Sequence, residues 1–318
     1  MTTRVAILDD YQSIAREVAD WGSLPPDVEI EVFNKQIEGE EIVAKTLAEF
    51  DIIVAMRERT PFPASLIRKL PNLKLLVTTG MRNLAIDMEA AGEQDIPVCG
   101  TALLPYPAFE HAWALILALF KQVSREDRAM HEGGWQAAMA YGLRDKTLGV
   151  VGLGKLGSQT AKVGLAFGMK VIAWSQNLTH ERAQECGVTK VDKDTLFAKS
   201  DVVSIHVVLS ERTHGLVGRR EFSLMKPTAY LVNTARGPIV EEAALIEALQ
   251  SRKIAGAAID VFDIEPLPPD HPLRNLDNAI LTGHMGYVIR ETFELSYGEV
   301  VEDIKAWLEG EPIRVLNG

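Results

Sequence analysis

The chain has 318 residues, 47% of them hydrophobic and 24% charged, which is enough for about two globular domains. Its formal net charge of −11 argues against nucleic acid or an anionic membrane as the main partner, because both require a basic surface. The two cysteines, Cys99 and Cys186, form no CxxC pair, so neither a disulfide framework nor a zinc site is expected, and no metal is predicted.

The sequence also bears on where the protein works. The N-terminal “MTTRVAILDD” leads almost directly into a short apolar strand and has none of the parts of a secretion signal. The most apolar stretch, “AWALILALF” at 112–120, is too short to span a bilayer and is typical of a buried helix. With cysteine usage that fits a reducing compartment, these features predict a cytoplasmic protein without a membrane partner.

Short apolar runs alternate with helical patterns along the chain. In the first hundred residues “RVAIL”, “VEIEVF”, “DIIVAM” and “KLLVTT” predict strands, and “EEIVAKTLAEF” and “PASLIRKL” have helical spacing. A second series begins near residue 147 with “TLGVVG”, “KVIAWS”, “DVVSIHV”, “AYLVNT”, “AGAAIDV” and “AILTGH”. Such alternation indicates parallel sheets with helices on their faces, so we expect an α/β protein with two doubly wound domains.

The predicted domain boundary lies in “GTALLPYPAFEHAWALILALF”, where Pro105 and Pro107 restrict the chain before a long apolar helix. We therefore expect a first domain over residues 1–102 and a second over residues 103–288. The last helical pattern, within residues 289–318, is expected to return to the first domain and complete it.

In the second domain, a glycine-rich turn follows the first strand of the second series. Gly152, Gly154 and Gly157 have G-x-G-x-x-G spacing after a predicted strand and at the start of a predicted helix. In that context the first glycine allows a tight turn, the second lets a pyrophosphate approach the backbone, and the third permits close helix–strand packing. A second strand, 170–174, completes the unit, so the sequence predicts dinucleotide binding there.

Three titratable or charged residues follow strands downstream of this turn. Arg236 lies in “NTARGPIV”, Glu265 in “AIDVFDIEPLP” and His284 in “LTGHMGY”. Since ligands collect at the carboxyl ends of strands in an open α/β sheet, all three can reach one crevice. The other histidines have no such spacing and are expected to be structural: His111, His131, His180, His214 and His271.

These motifs, with “LPNLKLLVTTGMRNLAIDMEAAGEQDIPVCGT”, “DVVSIHVVLSERTHGLVG” and “MKPTAYLVNTARGPIVEEAALIEAL”, make the chain resemble the D-isomer-specific 2-hydroxyacid dehydrogenases over nearly its whole length. The resemblance implies a Rossmann cofactor domain, a flavodoxin-like substrate domain and a homodimer. It also implies an oxidoreductase that uses NAD or NADP to convert a small 2-oxo acid into a D-2-hydroxy acid. Residues 125–147 would form the arm across the partner.

The resemblance also implies residue roles. Arg236 would bind the carboxylate and keto oxygen, His284 would donate the proton, and Glu265 would favour the protonated imidazole; Asp260 would contact the nicotinamide. The implied cofactor-binding residues are Gly152, Gly154, Lys155, Leu156, Gly157, Ser175, Gln176, Asn177, His206, Val207, Thr234, Ala235 and Asp260. The implied substrate-binding residues are Arg57 and the backbone amides of Thr79, Gly80 and Met81.

Cofactor choice depends on the end of the second strand. The dinucleotide fingerprint usually places Asp or Glu there to hold the ribose hydroxyls, and Ser175 stands in that place. Without an anion to repel a 2′-phosphate, NADPH is expected to be used at least as well as NADH.

Several departures from the family pattern leave the substrate open. Gly283 and Val208 stand where proline is common, and Met81 and Arg82 enlarge a loop that is usually less bulky. Glyoxylate and hydroxypyruvate are natural candidates. 3-Phosphoglycerate dehydrogenase is a second enzyme interpretation, although many of those carry a regulatory domain not expected here. Formate dehydrogenases match less well, and a corepressor-type nucleotide-sensing protein would keep the same three residues.

Overall fold

The computed structural model describes residues 2–318, which divide into two compact units. One unit contains the chain up to Leu104 together with Val288–Gly318, and the other is Pro105–Tyr287. The C-terminal segment is therefore packed with the first hundred residues, and the middle of the chain forms a unit of its own.

Both units alternate strands and helices along the sequence. The strands are β1 (Thr3–Ile7), β2 (Val28–Val32), β3 (Ile52–Ala55), β4 (Leu75–Thr78), β5 (Val98–Gly100), β6 (Thr147–Val151), β7 (Lys170–Trp174), β8 (Thr189–Lys190), β9 (Val202–Ile205), β10 (Tyr230–Asn233), β11 (Gly256–Ile259) and β12 (Ala279–Leu281). The helices are α1 (Glu40–Leu47), α2 (Ala64–Ile67), α3 (Met88–Gly92), α4 (Pro107–Lys121), α5 (Val123–His131), α6 (Lys155–Ala166), α7 (His180–Glu185), α8 (Lys193–Lys199), α9 (Arg219–Leu224), α10 (Glu242–Gln250) and α11 (Arg290–Leu308).

The first unit is built on a five-stranded parallel sheet with the order β2-β1-β3-β4-β5. This is the flavodoxin-like order. Strands β3 and β4 are continuous apolar runs and are buried along their whole length, as expected where helices cover both faces of a parallel sheet. α11 belongs to this unit and buries Phe293, Val300 and Ile304.

The second unit contains a seven-stranded parallel sheet with the order β12-β11-β10-β9-β6-β7-β8. Its first strand, β6, lies between β7 and β9, so the strand order reverses at the centre as in a Rossmann fold. Alternate strand residues enter different cores: Val203 and Leu231 pack on one face, Val202 and Val232 on the other. The predicted fold class, two doubly wound parallel-sheet units, is confirmed.

The helices follow local signals, although α1 and α2 both end before the helical patterns that predicted them. α4 begins at Pro107, whose fixed backbone suits the first helical position, and it buries Trp113, Ile116 and Phe120. The predicted helix in “PASLIRKL” is shorter than its apolar spacing suggested, because α2 ends at Ile67. Among residues 2–318 no helix combines the length and apolar character that a membrane crossing requires.

Candidate active site

The glycine turn joins β6 to α6 at the switch point of the seven-stranded sheet. Gly152 has φ +97°, and a Cβ there would lie 2.8 Å from the carbonyl oxygen of His206. A Cβ on Gly157 would lie 1.9 Å from the carbonyl oxygen of Gly152, so the helix approaches the strand closely. These two positions need glycine for backbone conformation and for packing.

The third glycine has a different environment. A Cβ at Gly154 would meet no atom within 4 Å, so the backbone here is open. Gly154 is the N-cap of α6 and supplies no capping side chain, which leaves the first amides of the helix, those of Lys155 and Leu156, available to a ligand. An open backbone at a helix N-terminus fits the pyrophosphate of a dinucleotide.

The tip of β7 has no acidic residue. The side chains of Ser175, Gln176 and Asn177 follow the strand and make no hydrogen bond within residues 2–318. Thr179 caps α7 by accepting from the amide of Arg182, whose guanidinium lies 3.1 Å from Glu185. This corner is therefore neutral and polar.

β9 ends beside the glycine turn. The amide of His206 donates to the carbonyl oxygen of Val151 (2.8 Å), and its Nε2 lies 2.8 Å from the buried Ser204 hydroxyl. Burial lowers the pKa of His206 to about 4, so its ring is neutral near pH 7. A Cβ on Gly152 would also lie 2.8 Å from a methyl of Val207, so both residues border the turn.

Arg236 follows β10 in a turn that a buried asparagine closes. The amide group of Asn233 donates to the carbonyl oxygen of Arg236 (2.9 Å) and accepts from the amide of Ala235 (3.0 Å). Thr234 lies inside this turn and is half-buried. Asn233 was not among the predicted site residues, although an asparagine at the end of a buried strand is a recognised turn signal.

His284 and Glu265 meet at the carboxyl edge of the same sheet. The Nδ1 atom of His284 lies 2.6 Å from Oε2 of Glu265, and the other carboxylate oxygen accepts from the amide of Phe262 (2.9 Å). Both oxygens of the Glu265 carboxylate therefore have hydrogen-bond partners. The residues follow β12 and β11, and Arg236 follows β10, so three adjacent strands present the three side chains.

The backbone around these residues is tightly packed. A Cβ on Gly237, next to Arg236, would lie 2.1 Å from the carbonyl carbon of Phe262. This contact ties the Arg236 turn to the segment that leads to Glu265. His284 has φ +54°, an uncommon conformation for a residue other than glycine.

Asp260 holds the segment that carries His284. Its side chain is completely buried, and its carboxylate accepts from the amides of Met285 (2.7 Å) and Gly286 (2.9 Å). Its carbonyl oxygen accepts from the amide of His284 (2.7 Å). Contact between Asp260 and the nicotinamide stays a prediction, because both carboxylate oxygens have protein partners.

The predicted substrate residues lie at the carboxyl edge of the five-stranded sheet. Nη1 of Arg57 donates to the carbonyl oxygen of Thr79 (3.2 Å), and its guanidinium covers Gly80, whose φ is +107°. The amide of Thr79 donates to Ala55, and that of Gly80 donates to the Thr101 hydroxyl. The amides of Thr79 and Gly80, two of the three expected to bind a carboxylate, therefore already have hydrogen-bond partners within the protein.

The next two amides, those of Met81 and Arg82, make no hydrogen bond within residues 2–318. Successive open amides after a residue with positive φ form a concave site for an anion. Asn83 holds this loop: its side-chain amide donates to the carbonyl oxygen of Arg57 (2.6 Å) and to the Thr78 hydroxyl (2.9 Å). No local pattern distinguishes Asn83 from a surface turn residue.

A family model described as “D-isomer specific 2-hydroxyacid dehydrogenase, NAD binding domain” matches residues 113–286. A glyoxylate reductase from Aeropyrum pernix is 38% identical over 79% of this chain and 78% of its own length. A phosphoglycerate oxidoreductase structure from Vibrio cholerae is 33% identical and superposes with a TM-score of 0.92 over 97% of this chain and 99% of its own.

A D-3-phosphoglycerate dehydrogenase from Archaeoglobus fulgidus is 39% identical over 90% of this chain. The match covers 54% of that protein, so the chain spans about half the length of this relative. The fold and the matched motifs define an NAD-binding oxidoreductase. The chain belongs to the D-isomer-specific 2-hydroxyacid dehydrogenase family.

Proposed function

We propose that this protein uses NADH or NADPH to reduce a small 2-oxo acid to the D-2-hydroxy acid. The observation that carries the proposal is the 2.6 Å contact between His284 and Glu265 on the sheet edge that also presents Arg236. A proton donor with an anionic partner, beside a permanent cation, matches what carbonyl reduction requires.

In this mechanism Arg236 binds the carboxylate and the keto oxygen of the substrate. The nicotinamide, when bound, supplies the hydride for the 2-carbon. Negative charge then develops on the keto oxygen, where the guanidinium stabilises it and His284 neutralises it by donating a proton. Glu265 accepts a hydrogen bond from Nδ1 and orients the imidazole, which leaves Nε2 as the donating nitrogen.

The cofactor would lie along the glycine turn. The open backbone at Gly154 and the first amides of α6 suit the pyrophosphate, and the turn at Thr234 and Ala235 would border the nicotinamide. The neutral corner at Ser175 has no charge to repel a 2′-phosphate, so NADPH should be accepted at least as well as NADH. Gln176 and Asn177 supply donors for phosphate oxygens there.

In the first unit, we propose that the open amides of Met81 and Arg82 bind an anionic group of the substrate. Two successive open amides, in a loop that Arg57 contacts through the carbonyl oxygen of Thr79, favour a compact anionic group. We therefore propose glyoxylate and hydroxypyruvate as the substrates. Arg82 is exposed, and its side chain makes no hydrogen bond or ion pair within residues 2–318. With a larger substrate, its guanidinium would contact a second anionic group.

Phosphoglycerate oxidation is the second candidate activity. The similarity to the A. fulgidus enzyme favours it, as does the exposed side chain of Arg82 after β4. In this oxidation, His284 would accept the proton that it donates in the reduction. We rank phosphoglycerate oxidation second because a carboxylate is enough to satisfy the open amides of Met81 and Arg82, without a phosphate.

We further propose a cytoplasmic homodimer in which residues 125–147 reach across the partner. α5 buries none of its residues, and the segment after it exposes Trp135 by 75% and Met139 by 82%. Large apolar side chains at that exposure are typical of an interaction surface. Light scattering at micromolar concentration checks this, and a monomeric mass would contradict it.

The reaction itself is tested by steady-state turnover with NADH and NADPH against a panel of 2-oxo acids. Arg236→Ala should abolish reduction while the protein still folds and binds the dinucleotide. Arg220→Ala is the matched control, because Arg220 is an exposed arginine paired with Asp194 on a surface helix. Near-normal turnover in Arg236→Ala would remove Arg236 from the mechanism.

A further inference from the structure

The carboxylate of Asp260 has a third and a fourth neighbour besides the two amides it binds. The Thr282 hydroxyl donates to Oδ1 at 2.5 Å. Nε2 of His111, on α4, lies 3.2 Å from the same oxygen and 3.0 Å from the Thr282 hydroxyl oxygen. His111 is 171 residues away from Thr282 in sequence, so this contact joins α4 to the segment after β12.

The hydrogen bonds determine which His111 nitrogen carries a proton. The Thr282 hydroxyl has one proton, which it donates to Asp260. Its oxygen can therefore only accept from His111. Since the Asp260 oxygen is also an acceptor, Nε2 of His111 must be protonated and must donate toward both oxygens.

His111, Asp260 and Thr282 support the backbone segment that carries His284, the proposed proton donor. Asp260 binds the backbone at His284, Met285 and Gly286, and the backbone of His284 has the uncommon φ of +54°. A completely buried carboxylate is stable only while donors surround it. If the donor from α4 is lost, Asp260 and Thr282 can relax, and the His284 backbone loses its fixed anchor.

We propose that His111 is a positioning residue that fixes the pose of His284 through Asp260 and Thr282. The catalytic part of this inference rests on the proposed function, in which His284 donates the proton. The expectation that His111 is merely structural was therefore incomplete. Its partner is an aspartate brought near only by the fold.

The test compares His111→Phe, which removes the donor, with His111→Gln, whose amide can restore it. Glu110→Ala is the control, because Glu110 is the exposed neighbour on the same helix. We expect His111→Phe to lower kcat by about tenfold or more, since small displacements of a catalytic group are costly. The KM for NADH should stay near the wild-type value, and His111→Gln should recover most of kcat.

A second readout does not depend on turnover. In protein labelled with [15N]histidine, the resonances of His284 are identified by their loss in His284→Ala. His111→Phe should move them and Glu110→Ala should not. Unmoved His284 resonances, or a Gln variant as impaired as the Phe variant, would overturn the inference. A wild-type protein that reduces no 2-oxo acid would overturn the proposed function instead, and the resonances would still decide the role of His111.

Discussion

The carboxyl edges of the two sheets are built differently. At the edge of the seven-stranded sheet, functional side chains are held by other side chains: His284 by Glu265, and the His284 segment by the buried Asp260. At the edge of the five-stranded sheet, the candidate groups are open backbone amides at Met81 and Arg82, whose side chains are exposed.

This difference has a physical reason. A proton donor must keep one tautomer and one orientation, which takes a network of fixed hydrogen bonds. A group that selects among substrates can lie in a loop, where a substitution changes substrate preference without disturbing the sheet. We therefore expect substitutions in the network that holds the proton donor at the first edge to abolish turnover and substitutions at the second edge to redirect it.

The largest effect should come from His284→Ala, which removes the proposed acid. We expect kcat to fall by about 100-fold or more, the usual contribution of general acid catalysis. Glu265→Gln should lose less, because the amide oxygen of glutamine can still accept from Nδ1 of His284 and hold the ring. Steady-state rates with a 2-oxo acid check both.

The matched control is His271→Ala. His271 also lies 3.0 Å from a carboxylate, that of Glu242, but in a pair the mechanism does not use. Similar losses in the His271 and His284 variants would contradict the assignment of the acid. A wild-type kcat in Glu265→Gln would indicate that a different group orients the imidazole.

A smaller effect is expected from Arg82→Ala on the other edge. For a 2-oxo acid with a second anionic group, kcat/KM should fall by about tenfold, the value of one charged contact of about 1.4 kcal/mol. For glyoxylate, which has no second anionic group, it should change little. Arg68→Ala, an exposed arginine paired with Glu93, is the control. Equal losses for both kinds of substrate would mean that this edge does not select substrates.

Ser175→Asp should change cofactor preference without changing the chemistry. The new carboxylate would accept hydrogen bonds from the ribose hydroxyls and repel a 2′-phosphate. We expect the ratio of kcat/KM for NADH to that for NADPH to rise by about tenfold. A wild-type enzyme that strongly rejects NADPH would show that groups outside this corner set the preference.

The smallest effect concerns acid stability, and it also belongs to the seven-stranded unit. His206 has a folded-state pKa lowered from 6.5 to about 4, so the unfolded chain takes up a proton first as the pH falls. The free energy of unfolding should therefore decline between pH 6.5 and about 4. His206→Asn should show a shallower decline in urea unfolding, whereas His180→Asn, at an exposed site, should follow the wild type.

Much of this architecture could be predicted from local sequence. Alternating apolar runs and helical patterns predicted both parallel sheets, and motif spacing predicted that Glu265 and His284 lie near one another. Local patterns could not reveal contacts made by the tertiary fold. His111 meets Asp260 only because α4 packs beside β11, and Asn83 supports Arg57 only because β3 and β4 are neighbours.

The sequence likewise could not show which amides of the substrate loop are free. In the sequence, the backbone amides of Thr79, Gly80 and Met81 are equivalent donors. In the fold, the amide of Thr79 is bonded to Ala55 and that of Gly80 to Thr101, and only the amide of Met81 stays open. The extent of α2 was missed for a related reason. Apolar spacing predicts a helical face, but it does not determine where tertiary contacts end the helix.

The handedness of the product tests the central proposal most directly. The protein is incubated with NADH or NADPH and hydroxypyruvate, and the enantiomers of the resulting glycerate are separated. We predict that the D-enantiomer accumulates with wild-type protein and that neither forms with Arg236→Ala. Accumulation of the L-enantiomer, or wild-type protein that reduces neither hydroxypyruvate nor any other 2-oxo acid with either cofactor, would contradict the proposal.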